Sequence, residues 1–429
     1  MEEVVSICSG LVALDTTNFG DAESRGEREA AEYVAALLAD ARLEPQVLES
    51  ADRRANVVCQ VPGSDPDAAG LLVHGHLDVV PADAAGWTVP PFSGEVRDGE
   101  VWGRGAIDMK HLIASTLTVV RNWSRRGLRP RRDLVLAFVA DEEDGGRYGA
   151  HWLVDEHPDL LTGVTEAIGE GGGYTVYLPD GSRVYPLGTG ERGAAWTRLR
   201  AVGTAGHGSR PTRDNPVARV AAAVTRIGGY EWPVRLAPAV KALLGALEDV
   251  IGQRIDPANL DPVRPALGRA ADLVEGVLRN SASPTMLEAG YKVNVIPAVA
   301  TAFVDGRMLP GFEDEFTTTL RALAGDDVEV DFVRRSSPIQ APLTGGVVDA
   351  AVKTIAAEDP DGVVVPNCAT GGSDAKAFGR LGIACYGFAP LWFPPSFDHR
   401  SLVHGIDERV PVSALEFGAR VLDRFLRTC

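Results

Sequence analysis

The stretch LLVHGHLD, residues 71–78, begins as an apolar strand and ends in two histidines and an aspartate. A short apolar run of this kind is typical of a buried strand in a parallel or mixed sheet. Its polar residues stand where the strand gives way to a turn, and open α/β sheets bind ligands at the carboxyl ends of their strands. The stretch therefore predicts an α/β fold with a functional site at His76 and Asp78.

Four further motifs place carboxylates or an imidazole next to glycine or after an apolar strand. They are GRGAIDMK with Asp108, the run Asp141-Glu142-Glu143, GEGG with Glu170, and VHGIDER with His404. Two divalent ions about 3.5–4 Å apart need a shared carboxylate, further protein ligands for each ion and a bridging water. The five motifs supply that number of ligands, so the sequence predicts a two-metal hydrolase.

The residue types also indicate roles within this site. His76 is a neutral imidazole ligand, and Asp78, two residues later, is placed to orient its second nitrogen. Glu142 and Glu143 are adjacent at a strand end, so their side chains point in opposite directions. One of them can bind metal while the other takes a proton from water. His74 lies on the same side of the strand as His76 and is the alternative histidine ligand.

Composition limits the class of protein. A chain of 429 residues predicts two or three domains, and no apolar run approaches the roughly 20 residues that span a bilayer. The formal net charge of −17 argues against nucleic acid or an anionic membrane as partner. The N-terminus begins with acidic residues where a secretory signal carries Lys or Arg, and the five widely spaced cysteines form no CxxC pattern. We expect reduced thiols and a cytoplasmic protein.

The order of apolar runs indicates how the chain is divided. Strand-like runs at 56–61, 70–74 and 133–140 alternate with amphipathic stretches, as in α/β proteins. After residue 192 the pattern changes to alternating apolar and polar residues, which is typical of an antiparallel strand. Two more strands are predicted at Thr285–Val295 and Ala300–Met308. We expect a catalytic domain formed by residues 1–192 and 310–429, with an inserted α+β domain at 193–309.

Taken together, the motifs resemble those of M20-type metallopeptidases, the group of glutamate carboxypeptidase, aminoacylase-1, acetylornithine deacetylase and succinyl-diaminopimelate desuccinylase. The resemblance runs from His76 to His404 and includes GHGS with His207, NVIP with Asn294, DGR with Arg307, and GGSD with Gly372 and Ser373. It implies a zinc-exopeptidase-like catalytic domain, with a mixed central sheet flanked by helices. It also implies an inserted lid and dimerisation domain with an antiparallel sheet.

The resemblance implies a role for each matching residue. His76 and Glu170 would hold one zinc ion, Glu143 and His404 the other, and Asp108 would bridge them through a peptide bond to Met109 that is cis. Asp78 would support the ligands, and Glu142 would be the general base and then the acid as a metal-bridging hydroxide attacks the amide. His207 would reach the active site of the partner in a homodimer. Four residues would grip the substrate: Asn294, Arg307, Gly372 and Ser373.

Two function classes remain open at this point. The first is an amidohydrolase that cleaves a dipeptide or an N-acyl amino acid, and carboxypeptidase-like and deacylase-like activities share all of these residues. The second is a catalytically silent relative that binds an amino-acid-like ligand. No ligand or base residue is missing, which favours the enzyme. Mixed histidine and carboxylate ligands accept zinc, cobalt or manganese. Contacts of His111 or of the loop around Trp392 with substrate are left open.

Overall fold

Two sheets of different character organise the chain. The computed structural model describes residues 2–20, 23–210 and 212–429, and within them the chain forms thirteen α-helices and nineteen strands. The helices are α1 (Glu2–Val12), α2 (Arg28–Asp40), α3 (Lys110–Arg126), α4 (Ala150–Glu156), α5 (Pro216–Gly228), α6 (Pro238–Ile251), α7 (Arg264–Leu267), α8 (Ala271–Glu275), α9 (Glu313–Ala324), α10 (Gly346–Glu358), α11 (Ala375–Gly379), α12 (His399–Leu402) and α13 (Val412–Thr428).

The strands follow the same chain order. They are β1 (Gln46–Ala51), β2 (Arg54–Val61), β3 (Gly70–His76), β4 (Val96–Arg97), β5 (Glu100–Trp102), β6 (Leu134–Val139), β7 (Val164–Gly169), β8 (Val176–Tyr177), β9 (Arg183–Glu191), β10 (Gly193–Val202), β11 (Gly206–His207), β12 (Ser281–Ala289), β13 (Val295–Ile296), β14 (Val299–Met308), β15 (Glu329–Arg335), β16 (Ile339–Gln340), β17 (Gly362–Ala369), β18 (Ala384–Gly387) and β19 (Arg409–Pro411).

The main sheet is mixed, and its order begins β1-β2-β6-β3-β7-β18-β9. Strand β3 pairs in parallel with β6 on one side and β7 on the other, while β1 and β2 are antiparallel. Every residue of β3 is buried, because its two faces lie in different apolar clusters. Helices α1, α3 and α13 pack together in the cluster on one face. The predicted mixed sheet flanked by helices is confirmed.

The second sheet is antiparallel, in the order β12-β14-β10-β15. Its inner face packs against α5 and α9 around Phe316, which is the separate antiparallel layer that was predicted. The sheet includes β15, so it extends past residue 309, the predicted end of the inserted segment. In addition, α6 packs against β17 of the main sheet. The division of the chain at residues 192 and 309 stays a prediction.

One strand prediction within this layer is wrong. The strand expected at Thr285–Val295 lies at Ser281–Ala289 instead, and the chain turns at Gly290, whose φ is 73°. Pro284 argues against a strand in the sequence, because proline donates no hydrogen bond to a ladder. It is accommodated here because β12 is an edge strand and the register shifts between Pro284 and Met286.

Two predictions from composition can be compared with the structure. All five cysteines are buried and none forms a disulfide. Among the described residues, no helix is long and apolar enough to cross a membrane.

Candidate metal centre and active site

Three neighbouring parallel strands end at one edge of the main sheet, each at or just before a polar residue of the site. Strand β3 ends at His76, β6 ends two residues before Asp141, and β7 ends one residue before Glu170. Because β6, β3 and β7 are adjacent and point the same way, their carboxyl ends meet. The site therefore lies where parallel sheets place their ligands.

Two groups of side chains at this edge have the composition of metal sites. One consists of His76, Asp108 and Glu170, and the other of Asp108, Glu143 and His404. In the first, His76 Nε2 lies 3.1 Å from Asp108 Oδ1 and 3.8 Å from Glu170 Oε2. In the second, His404 Nε2 lies 3.2 Å from Asp108 Oδ2 and 3.3 Å from Glu143 Oε1. Asp108 thus presents one oxygen to each group.

The donor set fits a pair of divalent ions. Each group supplies one imidazole and carboxylates, and the shared carboxylate is what two-metal sites require. Glu143 Oε1 is buried and faces His404 Nε2 at 3.3 Å, so the second group offers a carboxylate and an imidazole side by side. The peptide between Asp108 and Met109 is cis, as expected.

Electrostatics within the cluster agree with this composition. Although burial favours the neutral acid, hydrogen bonds with His404 and His76 hold the pKa of Asp108 below its ordinary value. Hydrogen bonds with Asp108 and Glu143 raise the pKa of His404 to about 10. Burial raises the pKa of Glu170 to about 7. The shared carboxylate is therefore ionised and attracts cations.

Asp78 contacts this centre through both its backbone and its side chain. The second nitrogen of His76, Nδ1, lies 2.9 Å from the Asp78 carbonyl oxygen and 3.5 Å from its carboxylate, so the closer partner is the backbone. The carboxylate accepts hydrogen bonds from the backbone N–H groups of Glu142 and Glu143, each at 3.1 Å. Asp78 therefore positions the turn that carries both glutamates.

The two adjacent glutamates occupy different places. Glu143 belongs to the second ligand group, whereas Glu142 belongs to neither group among the described residues and lines the adjacent cavity. Burial, with repulsion from Glu170, raises the pKa of Glu142 well above its ordinary value. A carboxyl group that binds protons this readily suits proton transfer.

His74, the alternative ligand, lies outside both groups. It is buried two residues before His76 on β3, and its ring packs against Phe378 with the centroids 5.0 Å apart. Burial lowers its pKa to about 3, and its Nε2 has no hydrogen-bond partner within the described residues. His74 is therefore a neutral histidine of the sheet interior.

A cavity of about 920 Å³ opens beside the ligand groups. Three of the predicted substrate contacts line it: Arg307, Gly372 and Ser373. Asn294 and His207 are exposed and lie together elsewhere, since β11 pairs with β13 and Gly208 N donates to Asn294 O at 2.8 Å. Within the described part of the chain, His111 and Trp392 do not line this cavity either.

The profile of the peptidase family M20/M25/M40 matches residues 72–428. The chain belongs to this family.

Two curated relatives illustrate the match of this M20 protein. It is 28% identical over 396 residues to the N-fatty-acyl-amino acid synthase/hydrolase PM20D1 of Bos taurus, covering 86% of this chain and 75% of that protein. It is 26% identical over 373 residues to aminoacylase-1 of Sus scrofa, covering 85% of this chain and 81% of that protein. Its membership and these relatives show a metal-dependent hydrolase of amide or peptide bonds.

Solved structures show the same fold. The M20 metallo-carboxypeptidase Sso-CP2 of Sulfolobus solfataricus superposes with a TM-score of 0.75 at 18% identity, covering 100% of this chain and 99% of that one. The Bacillus subtilis YXEP protein, described as a dinuclear metal binding peptidase of the M20 family, gives 0.62 at 14% identity, covering 99% and 97%.

Sequence reasoning missed a buried pair that ties two segments of the M20 site together. Glu408 is fully buried, and its carboxylate accepts from the backbone N–H groups of residues 105, 107 and 108 and from Arg104 Nη1 at 2.7 Å. Arg104 Nη2 also donates to the carbonyl oxygens of His404 and Gly405, at 3.2 and 2.9 Å. Through these hydrogen bonds the pair fixes the backbone at Asp108 relative to the backbone at His404. The only sequence signal was its position four residues after His404.

A second missed network lies behind Asp78. Asn18 Nδ2 donates to Asp78 Oδ2 at 2.9 Å and to Asp141 Oδ1 at 3.1 Å. Arg54 donates to Asp141 at 2.8 Å and makes two hydrogen bonds with Glu27. Asp141 has a φ of 71°, and these bonds fix the turn that leads into Glu142.

Proposed function

We propose that this protein is a di-metal amidohydrolase that cleaves the amide bond of a dipeptide or an N-acyl amino acid. The observation that carries the proposal is that Asp108 gives one carboxylate oxygen to each of two ligand groups. A single shared carboxylate between two His-containing groups is the arrangement that two-metal hydrolases use.

The ligand assignment follows from the groups. His76 and Glu170 would hold one ion, Glu143 and His404 the other, and Asp108 would bridge them. When bound, two divalent ions polarise the scissile carbonyl and lower the pKa of water. Zinc suits this mixed set of ligands, and cobalt or manganese can replace it.

Glu142 moves the proton. It lines the cavity next to the ligand groups, and its elevated pKa favours accepting a proton. It takes one from the attacking water and returns it to the leaving amine, the role of a general base and then acid. Asp78 and Asn18 keep its turn in place.

The substrate is anchored in the same cavity. Arg307 of β14 lines it, as do Gly372 and Ser373. A guanidinium binds a carboxylate through paired hydrogen bonds, so Arg307 grips the free carboxylate of the substrate. The names of the two relatives, an N-fatty-acyl-amino acid synthase/hydrolase and an aminoacylase, favour deacylase activity over peptidase activity.

A homodimer completes the site. His207, on β11, and Asn294, directly before β13, are exposed and do not line the cavity, and β13 follows the edge strand β12 in the chain. Apolar side chains on that edge and its turn are exposed to solvent: Met286, Leu287, Tyr291 and Val293. An unpaired edge with exposed apolar residues favours association with a second copy. That copy would bring His207 to the transition state and Asn294 to the substrate.

The free, buried cysteines agree with a reducing compartment, and we propose the cytoplasm.

Chelation tests the proposal directly. Prolonged treatment with a chelator should abolish hydrolysis of N-acetyl amino acids and dipeptides, and added zinc, cobalt or manganese should restore it. Elemental analysis should approach two ions per chain. Hydrolysis by protein from which all metal has been removed would contradict the proposal.

A further inference from the structure

Besides the exposed Arg335, the cavity beside the ligand groups holds two half-buried positive charges that form no ion pair within the described residues. They belong to Lys376 and Arg334, and neither forms an ion pair with any residue that the structure describes. The neighbouring Arg307 differs, because it is paired with Asp305 at 2.8 Å. In a chain with a net charge of −17, two unpaired cations at one active-site cavity call for a partner.

Lys376 is placed against the substrate-facing loop. Its ammonium lies where a Cβ at residue 372 would be placed, so it packs directly against Gly372. The nearby Glu191 already accepts hydrogen bonds from Ser373 N at 3.1 Å and Ser373 Oγ at 2.5 Å. The Lys376 ammonium forms no ion pair with Glu191 and lines the cavity.

Arg334 approaches from the second sheet. It stands opposite Trp196 on the neighbouring strand, and its guanidinium carbon lies 4.8 Å from the centroid of the indole. Stacking on an aromatic ring holds a guanidinium without using its N–H donors. The Arg334 guanidinium lies against Gly145, three residues after Glu142. Its N–H donors are therefore beside the turn that carries the proposed base.

These cations lie close enough to repel one another. Burial lowers the pKa of Lys376, and although Glu191 and Glu142 oppose the fall, the charges of Arg307 and Arg334 add to it. An anion that enters between these three cations would relieve their mutual repulsion.

We propose that Lys376 and Arg334 form an anion-binding subsite, so that the preferred substrate carries a second carboxylate besides the one that Arg307 binds. The inference rests on the proposed amidohydrolase function and adds the substrate class. The second carboxylate is either on the amino acid, as in an N-acylated acidic residue, or on the acyl group, as in a dicarboxylic monoamide.

Matched substrate pairs test the subsite and identify the position of the carboxylate. N-acetylglutamate and N-acetylglutamine differ only in charge on the amino acid side. N-succinyl-leucine and its terminal carboxamide differ only in charge on the acyl side. We expect kcat/KM for the acid to exceed that for the amide by at least about tenfold in one pair, since charged hydrogen bonds are the stronger ones.

Variants then assign the preference to these residues. Lys376→Met and Arg334→Met should each lower the acid-to-amide ratio of kcat/KM by about tenfold or more, and Lys376→Arg should retain it. Lys353→Met and Arg200→Met, which remove exposed charges outside the cavity, should leave the ratio as in the wild type. Thermal unfolding of each metal-loaded variant shows whether it is folded.

The outcomes separate the two claims. Equal kcat/KM for acid and amide in both pairs would overturn the subsite and leave the amidohydrolase proposal standing, as would a preference that survives in the double Met variant. If none of the four compounds is cleaved, the amidohydrolase proposal fails. Calorimetric binding of N-acetylglutamate against N-acetylglutamine to metal-loaded wild type and Lys376→Met then decides the subsite, because a preference for the acid that is lost in the variant supports it.

Discussion

The metal-ligand cluster and the short strand pair β11–β13, which carries His207, show two ways in which this chain presents a histidine. His76 is 1% exposed, and both ring nitrogens contact oxygen atoms of Asp78 and Asp108. His207 is exposed, and Ser209 is its side-chain partner among the described residues, with Oγ 2.8 Å from Nδ1. The first histidine is fixed by its own chain, whereas the second is free to meet another molecule.

The difference reflects how much of the fold each histidine requires. The ligand groups take side chains from five segments between residues 76 and 404, and buried bonds from Asp78, Arg104 and Glu408 fix their backbone. The strand pair that carries His207 consists of two-residue strands, and within the described residues each strand pairs only with the other. One chain therefore supplies both metal-ligand groups. The proposal that a partner delivers His207 concerns the exposed strand pair, which buried hydrogen bonds do not fix in this way.

The largest effect should come from the two glutamates of the cluster. Glu142→Ala should retain both metal ions and lower turnover by about 10²–10⁴, because it removes only the proton carrier. Glu143→Ala should lose metal as well as activity, because it removes a ligand. Metal analysis and kcat measured on the same samples separate the two, and exchanged phenotypes would show that their roles are reversed.

The next largest effect should come from His207, on the strand pair β11–β13. His207→Ala should lower kcat by about 10²–10³ with a smaller change in KM, since it removes a donor that acts mainly in the transition state. His157→Ala, a histidine away from the cavity, is the control.

Mixing experiments sharpen this prediction. Inactive His207→Ala and inactive Glu142→Ala proteins, allowed to exchange subunits, should regain part of the activity because one hybrid site has both groups. Light scattering should give the mass of a dimer. A strictly monomeric protein, or proven exchange without recovery, would rule out delivery of His207 by a partner and leave the metal centre unaffected.

A smaller effect should follow from loosening the buried pair behind the metal centre. Glu408→Gln replaces one carboxylate oxygen by an NH2 group. That group cannot accept the hydrogen bonds that Arg104 and the backbone N–H groups donate to Glu408. Residues that hold metal ligands in place typically change metal affinity by about 10–100-fold. Competition with a metal indicator should show this loss, and Glu416→Gln on α13 should bind metal as the wild type does. Unchanged affinity in Glu408→Gln would mean that Asp108 and His404 are positioned without it.

The smallest effect should be on stability. Asn18→Ala removes the amide that joins Asp78 to Asp141, and both carboxylates keep other donors. The Asn18 side chain makes four hydrogen bonds, because its oxygen also accepts from Gly20 N and Ser24 Oγ. At about 1 kcal/mol for each bond, we expect a loss of about 2–4 kcal/mol in the free energy of unfolding. Urea unfolding measures it, with Asn122→Ala on the exposed face of α3 as the control. A loss as small as that of the control would show that Arg54 and the turn suffice.

Much of the fold was visible in local patterns. The apolar runs at β2, β3 and β6 and the amphipathic helices α2, α3 and α13 follow from periodicity, because burial on one or two faces selects residue type. The strand around residue 285 was misplaced because Pro284 and the exposed residues after it break the alternation. Only the edge position of β12 makes that proline tolerable, and an edge is a property of the assembled sheet.

By itself, the sequence determined which residues were available for the chemistry: histidines and carboxylates at the ends of strands, in motifs that resemble those of the M20 group. Only the tertiary structure decided which of them meet. It placed His76 in a ligand group and left His74 outside it. It also brought the Asp78 carbonyl oxygen to the His76 ring and the Asp78 carboxylate to the backbone of the turn that carries Glu142. It also joined Glu408 to residues some 300 positions away in the chain. These are long-range contacts that bury polar groups, and a buried polar group is stable only where the fold brings its partner.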